Sequence, residues 1–136
     1  MKKNFFRAAA LSAILAMSVN GAQAQTRNYE CPPLNPEYQA QADQVISLQM
    51  EDPEKAGKLY MGLEKKVQKS KEDLVALGTY LLEHNEIQGA SRCAKLVYEK
   101  APDYIPGLMF SAEVYMKMQQ WGLAGGRYDE VLAIDS

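Results

Sequence analysis

Laid on itself at a shift of 34 residues, the sequence keeps its register. Ala56 falls on Ala90 and Ala124, Tyr60 on Ala94 and Tyr128, and Leu63 on Val97 and Val131. The same shift lays Leu74 on Leu108, Gly78 on Ala112, Leu81 on Tyr115 and Ile87 on Trp121. A period that keeps apolar and small positions in register restricts the chain to locally folded units, each burying against its neighbour a face it cannot bury alone. A bundle of six unrelated helices has no reason to keep such a register.

The units are helical. Asn35-Pro36-Glu37 supplies a cap, a first-turn proline and an early acidic residue, which satisfy or complement the free N–H groups of a helix start, and the helix runs to about Met50. Asp52-Pro53-Glu54 repeats the signal, with Ala56, Leu59, Tyr60 and Leu63 following at helical spacing. Ser70 opens a third helix with Asp73 three residues on, and Leu74, Leu77, Leu81 and Leu82 form its stripe up to His84-Asn85. A fourth spans Ile87 to Lys100, a fifth Pro106 to Met118, a sixth about Leu123 to Ile134. No window alternates as a strand does, so the expected class is all-α. Gly57, Gly62 and Gly125-Gly126 each cost up to about 1 kcal/mol against alanine, which makes the second and sixth helices the ones expected to fray.

A helix-turn-helix unit of this length resembles the tetratricopeptide repeat, whose signature W-x2-L-G-x2-Y, A-x3-F, P is met in the middle unit by Leu74-x2-Leu77-Gly78-x2-Leu81, Ala90-x3-Ala94 and Pro102. The third unit reads Leu108-x2-Ser111-Ala112-x2-Tyr115 and Ala124-x3-Tyr128. The first matches only through Ala56-x3-Tyr60, with Asp43-Gln44 in place of Leu-Gly. The resemblance implies antiparallel helical hairpins stacked as a short right-handed solenoid of about three hairpins: 37–70 (degenerate), 71–104 and 105–136. Gly78, Ala90, Ala112 and Ala124 would permit close approach of the two helices of a hairpin. Leu63, Leu81, Val97, Tyr115 and Val131 would fill the core beside Tyr60 and Tyr128. Trp121 falls where these repeats carry an aromatic packed between the two helices, and Met109, Met116 and Met118 read as core filler. The chain stops at Ser136, 34 residues after Pro102, without the polar capping helix such arrays carry. Further repeats of a longer chain, or a partner, would finish it.

The first 24 residues read as an export signal. Lys2, Lys3 and Arg7 precede an apolar run from Ala8 to Val19, and Ala22-Gln23-Ala24 gives the cleavage site. The run is shorter than the roughly 20 residues of a membrane-spanning helix, so no membrane span is expected. No cysteine follows the cut directly to carry a lipid. Cleavage removes three cations and moves the net charge from −2 to −5, against a nucleic-acid partner, which requires clustered Lys and Arg. The 112 remaining residues suit one domain, and residues 25–36, with Pro32, Pro33 and Pro36, read as an extended leader. Export to the periplasm or beyond permits a Cys31–Cys93 disulfide; the competing reading is a small buried residue at Cys93 and an incidental thiol at Cys31.

Reactive groups do not converge. His84 is the one histidine and sits in the Glu83-His84-Asn85-Glu86 connector, where a solvated turn residue at a helix C-terminus is the simpler reading. There is no phosphate-cradling glycine loop, no nucleophile motif and no Cys/His metal spacing, so no cofactor, no metal and no enzyme activity are expected. The first helix of each unit then carries the functional expectation, because with one stripe turned inward the opposite stripe stays free. That stripe is Gln41, Val45 and Leu48 in the first unit, Val75, Thr79 and Leu82 in the second, and Met109, Glu113 and Met116 in the third. An apolar groove of this kind fits a peptide or partner helix. Val75 and Thr79 stand where some family members place a Lys and Asn clamp for carboxylates, which disfavours acidic C-terminal peptides as the ligand. The expected function is a non-catalytic protein-binding scaffold of the cell envelope. The alternative is the helical arm of a longer envelope enzyme or secretion component whose active part lies beyond residue 136.

Overall fold

The computed structural model describes residues 29–135. The expected signal segment and cleavage site lie outside the described residues. The chain divides into two compact units, Met1–Cys31 and Pro32–Ser136. Of the first, only residues 29–31 are described, and they form no helix or strand.

The second unit is all-helical in its described residues, with six helices: α1 Pro36–Leu48, α2 Pro53–Val67, α3 Lys71–Glu83, α4 Ile87–Lys100, α5 Ile105–Lys117 and α6 Trp121–Ile134. Connectors of three or four residues join them. The first residues of α2, α4 and α6 are spaced by 34, as are those of α3 and α5. None of these helices is long and apolar enough to cross a membrane.

The starts of α1, α2 and α3 are made by the caps anticipated from sequence, while α4, α5 and α6 begin without a side-chain cap. The Asn35, Asp52 and Ser70 side chains accept from the backbone N–H groups of Glu37, Lys55 and Asp73 at 2.8, 3.2 and 3.2 Å. The ends of α3 and α5 share a device that sequence reasoning missed. Asn85 and Gln119, again 34 apart, take φ of 65° and 60°. The next N–H reaches back five residues in each case, Glu86 to the Leu81 carbonyl at 2.8 Å and Gln120 to the Tyr115 carbonyl at 2.9 Å, satisfying carbonyls the helix end would otherwise leave open. The sixth helix begins at Trp121, two residues earlier than expected.

Each helix packs on the next in sequence, and α3 also packs on α1 and α5. The small residues lie at the closest approaches: Ala56, Ala90, Ala112 and Ala124 are buried, and a Cβ on Gly78 would lie 2.9 Å from the Cys93 Cβ and closer still to the Phe110 ring. Leu63, Leu81, Val97, Val131 and Tyr60 are buried, while Tyr115 and Tyr128 are half-buried.

Between α2 and α4 long side chains make the links. Arg92 on α4 forms a two-pronged pair with Glu64 on α2, Nε and Nη2 at 2.8 and 2.9 Å, and this holds the Glu64 carboxyl below its ordinary range. The Tyr60 hydroxyl donates to the Gly89 carbonyl at 3.2 Å and lies 3.6 Å from the Cys93 sulfur. From α6, Arg127 lies over the Tyr98 ring at 3.8 Å, donates to the Ser111 hydroxyl at 3.2 Å and pairs with Glu130 at 2.9 Å. Ser111, a departure from the repeat pattern, is buried as the acceptor for this arginine.

Candidate interaction surface

The first-helix stripe does not stay open along its whole length. Val45, Val75, Thr79 and Leu82 are buried, Gln41, Leu48, Met109 and Glu113 are half-buried, and Met116 is exposed. The expected open groove is corrected at α3. This is the helix with four neighbours, α1, α2, α4 and α5, and every residue from Leu74 to Leu82 except Tyr80 is buried. Counting one inward stripe treats a helix as having one neighbour, and α3 has no free side. Residues from α5, which has no first helix packed beyond it, supply the accessible part.

That part holds an electrostatic anomaly. Burial, with the Glu83 carboxylate nearby, pushes the Glu113 carboxyl up to about 8. Glu83, exposed at the end of α3, is raised by partial desolvation against the lowering effect of His84, and the Tyr128 hydroxyl on α6 is raised by burial and by Glu113. Thr79, the residue equivalent to Glu113 at the 34-residue shift, has a buried hydroxyl oxygen with no hydrogen-bond partner.

Most of the exposed large apolar side chains lie where the sequence reading did not assign a surface. Met116, Met118, Trp121, Leu123, Leu132 and Ile134 are all at least 39% exposed, whereas residues 29–115 expose only two large hydrophobic side chains, Met50 and Met61. Trp121 is therefore not wedged between helices. As the first residue of α6 it projects outward, 60% exposed, and Met116 and Met118 end α5 outside the core. The signal was present in the composition of α6, which has apolar residues on every side instead of one polar face. Gly122, Gly126 and Ala133 form its outermost ridge with Asp129, and a Cβ at either glycine would meet nothing within 4 Å.

A second recess opens between α2 and α4, a cleft of about 640 Å³ over Tyr60, Met61 and Leu81, with Gly57 and Gly62 in its wall. A methyl group at either of these glycines would also find open space within 4 Å, so packing inside the chain gives no reason for them.

The remaining candidates are dispersed. His84 is exposed at the end of α3, with Nδ1 2.8 Å from the Tyr80 carbonyl. Cys93 carries a free thiol, fully buried and pushed up to about 12 by that burial, in accord with the small-buried-residue reading. Among the described residues no group of three or more His, Cys, Asp or Glu is placed to hold a metal ion. Comparison with known proteins finds no matching family model, no similar curated protein and no similar solved structure.

Proposed function

We propose that the chain is an exported, non-catalytic interaction module: a short tetratricopeptide-like stack that docks a partner helix or peptide on the outer side of its last helix pair. The observation that carries this reading is the concentration of exposed large apolar side chains in residues 116–134, which hold six of the eight such side chains among the described residues, since apolar surface gathered in one region of a molecule marks a contact site. The ridge of Gly122, Gly126 and Ala133, shouldered by Trp121 and Leu132 on one side and Leu123 and Ile134 on the other, suits a helix approaching closely. Met109, Glu113 and Met116 continue the contact along α5. The 34-residue spacing of helix starts, the close approach at Gly78 and the paired left-handed turns at Asn85 and Gln119 support the tetratricopeptide-like reading.

The test is cross-linking from this surface in the cell envelope, with a photoreactive residue at Leu132 or Trp121 and, as control, at exposed Met61. A partner captured from Leu132 and Trp121 but not from Met61 supports the reading, and equal capture from all three positions overturns it. N-terminal sequencing of the exported protein tests the export proposal: a chain beginning at Gln25 supports it, and one retaining Met1 sinks it. The apolar α6 also favours a second reading, in which a further helix covers it in the arm of a longer envelope enzyme or secretion component. The full open reading frame separates the two, because a non-repeat domain following α6 favours the arm.

A further inference from the structure

Residues of α4, α5 and α6 enclose a further recess of about 290 Å³, lined by Lys95, Tyr98, Ser111, Tyr115 and Arg127 among others. Two of these residues depart from the repeat pattern. At the 34-residue shift Arg127 stands where the middle unit has Cys93, and Ser111 where it has Leu77, and both Cys93 and Leu77 are fully buried. Ser111 is 3% exposed and the Arg127 side chain 18%. A guanidinium and a hydroxyl at core positions lose hydration that an apolar pair would not miss, so their hydrogen-bonding capacity has to be met inside the recess. The chain meets only part of it. Arg127 spends Nε on the Ser111 oxygen at 3.2 Å and Nη1 on Glu130 at 2.9 Å, and the second Glu130 oxygen accepts from the Tyr98 hydroxyl at 3.1 Å. Nη2, on the same edge of the guanidinium as Nε, makes no hydrogen bond among the described residues. The Ser111 hydroxyl, having accepted from Nε, keeps its own proton to donate. The Tyr98 ring at 3.8 Å and the Tyr115 ring at 5.5 Å hold the guanidinium in place.

We propose that this recess is a seat for one carboxylate group, bound by Arg127 Nη2 and the Ser111 hydroxyl, with Lys95 at the rim and the carbon arm of the ligand against Ala94 and Val114. The chain shows the same chemistry elsewhere: the Nε and Nη2 edge of Arg92 holds the Glu64 carboxylate at 2.8 and 2.9 Å. In Arg127 the serine oxygen has taken the Nε side of that edge, which leaves Nη2 for one ligand oxygen and the hydroxyl proton for the same acid. Lys95 and Arg127 are matched in charge by Glu99 at the rim and Glu130 on the guanidinium, so placed donors define the ligand and excess charge does not. A monoanion suits them, whereas a phosphate dianion would face two carboxylates. The carboxylate has two sources, a free short-chain acid or an acidic side chain of the docked partner. Leu123 and Ile134, one turn before and two turns after Arg127 on the same side of α6, bring the second source within reach. The seat stands without the proposed docking surface, and only the second source rests on it.

The experiment titrates sodium butyrate and its uncharged counterpart butyramide into the isotope-labelled protein at neutral pH and low salt, reading the Arg127 Nε–H signal and the Val114 methyls. Butyrate should shift both saturably and bind at least about threefold more tightly than butyramide, and Ser111→Ala should abolish that preference. Two substitutions at the rim keep the test independent of folding, since Lys95 and Glu99 are exposed. Lys95→Gln should weaken butyrate binding by about twofold or more, and Glu99→Gln should strengthen it by about the same factor. Equal binding of butyrate and butyramide, or a butyrate affinity indifferent to both rim substitutions, overturns the seat. The peptides acetyl-Leu-Glu-Leu-amide and acetyl-Leu-Gln-Leu-amide, read at Arg127 and at the Leu123 and Ile134 methyls, distinguish the sources. A preference for the glutamate peptide at Arg127, with shifts at Leu123 and Ile134, supports the seat and assigns its carboxylate to the docked partner. Butyrate binding without any effect of the glutamate peptide supports the seat and assigns it to a free acid. Shifts at Leu123 and Ile134 that are equal for the two peptides, with no response to butyrate at Arg127, overturn the seat and leave the docking surface standing.

Discussion

Gln119 shows how a single residue carries the repeat. It sits at φ 60°, a conformation that penalises a side chain with a Cβ by about 1 kcal/mol and that glycine adopts freely. Gln119→Gly should therefore raise stability by about 1 kcal/mol, read as a higher denaturant midpoint at unchanged m value, and a lower midpoint would show that the glutamine side chain contributes more than the strain removes. Glu113 gives the residue-scale prediction for pH. Its folded-state pKa of about 8 lies above the ordinary carboxyl value, so between those values the native chain holds a proton the unfolded chain has released, and stability falls as pH rises through that interval. Glu113→Gln should remove this slope. Roughly 1 kcal/mol or more should be gained near pH 9 and almost nothing near pH 4, each measured by urea denaturation at fixed ionic strength. Neither property was legible beforehand. A left-handed turn at a glutamine has no sequence signature, and the glutamate's proton affinity depends on Glu83, thirty residues away in the chain.

At the scale of the element, the first three helices were legible nearly to their ends because their starts carry their own chemistry: Asn35, Asp52 and Ser70 cap in the structure as their residue types require, whereas α4, α5 and α6, without a side-chain cap, were legible from the spacing of their apolar residues. The surface was less legible, because accessibility belongs to neighbours. Val75 and Thr79 look like a free stripe on α3 taken alone and are buried once α1, α2, α4 and α5 are in place. Glycines divide into two kinds on the same grounds. Gly78→Ala places a methyl against the Phe110 ring and the Cys93 Cβ and should destabilise by about 1 to 3 kcal/mol in thermal or denaturant melts. Gly57→Ala and Gly62→Ala meet nothing, and each should stabilise α2 by about 0.5 to 1 kcal/mol. A loss of stability at Gly57 or Gly62 would show that the α2 to α4 cleft is tighter in solution than 640 Å³ implies.

The first and the last of the six helices present unlike surfaces. The exposed residues of α1 are largely polar, among them Gln39, Asp43, Gln44 and Ser47, whereas α6 exposes Trp121, Leu123, Leu132 and Ile134. Exposed apolar side chains on α6 should make the chain prone to association there. Trp121→Ser with Leu132→Ser should lower binding of an apolar dye and concentration-dependent association while shifting the melting midpoint by no more than about 0.5 kcal/mol equivalent. A large loss of stability would place these side chains in the core. In the middle of the helices, Cys93 is fully buried, its sulfur against the Tyr60 hydroxyl and its Cβ close to Gly78, with no exposed surface and a proton it gives up only near 12. In a Cys31→Ser background a thiol reagent can reach it only when α2, α3 and α4 part from one another, so its modification rate, compared with that of the denatured chain, times the breathing of the stack from its middle. The chain thus carries an internal clock for its own opening, one that would slow when a partner clasps the helices together and run unchanged when a partner rests on α6 alone.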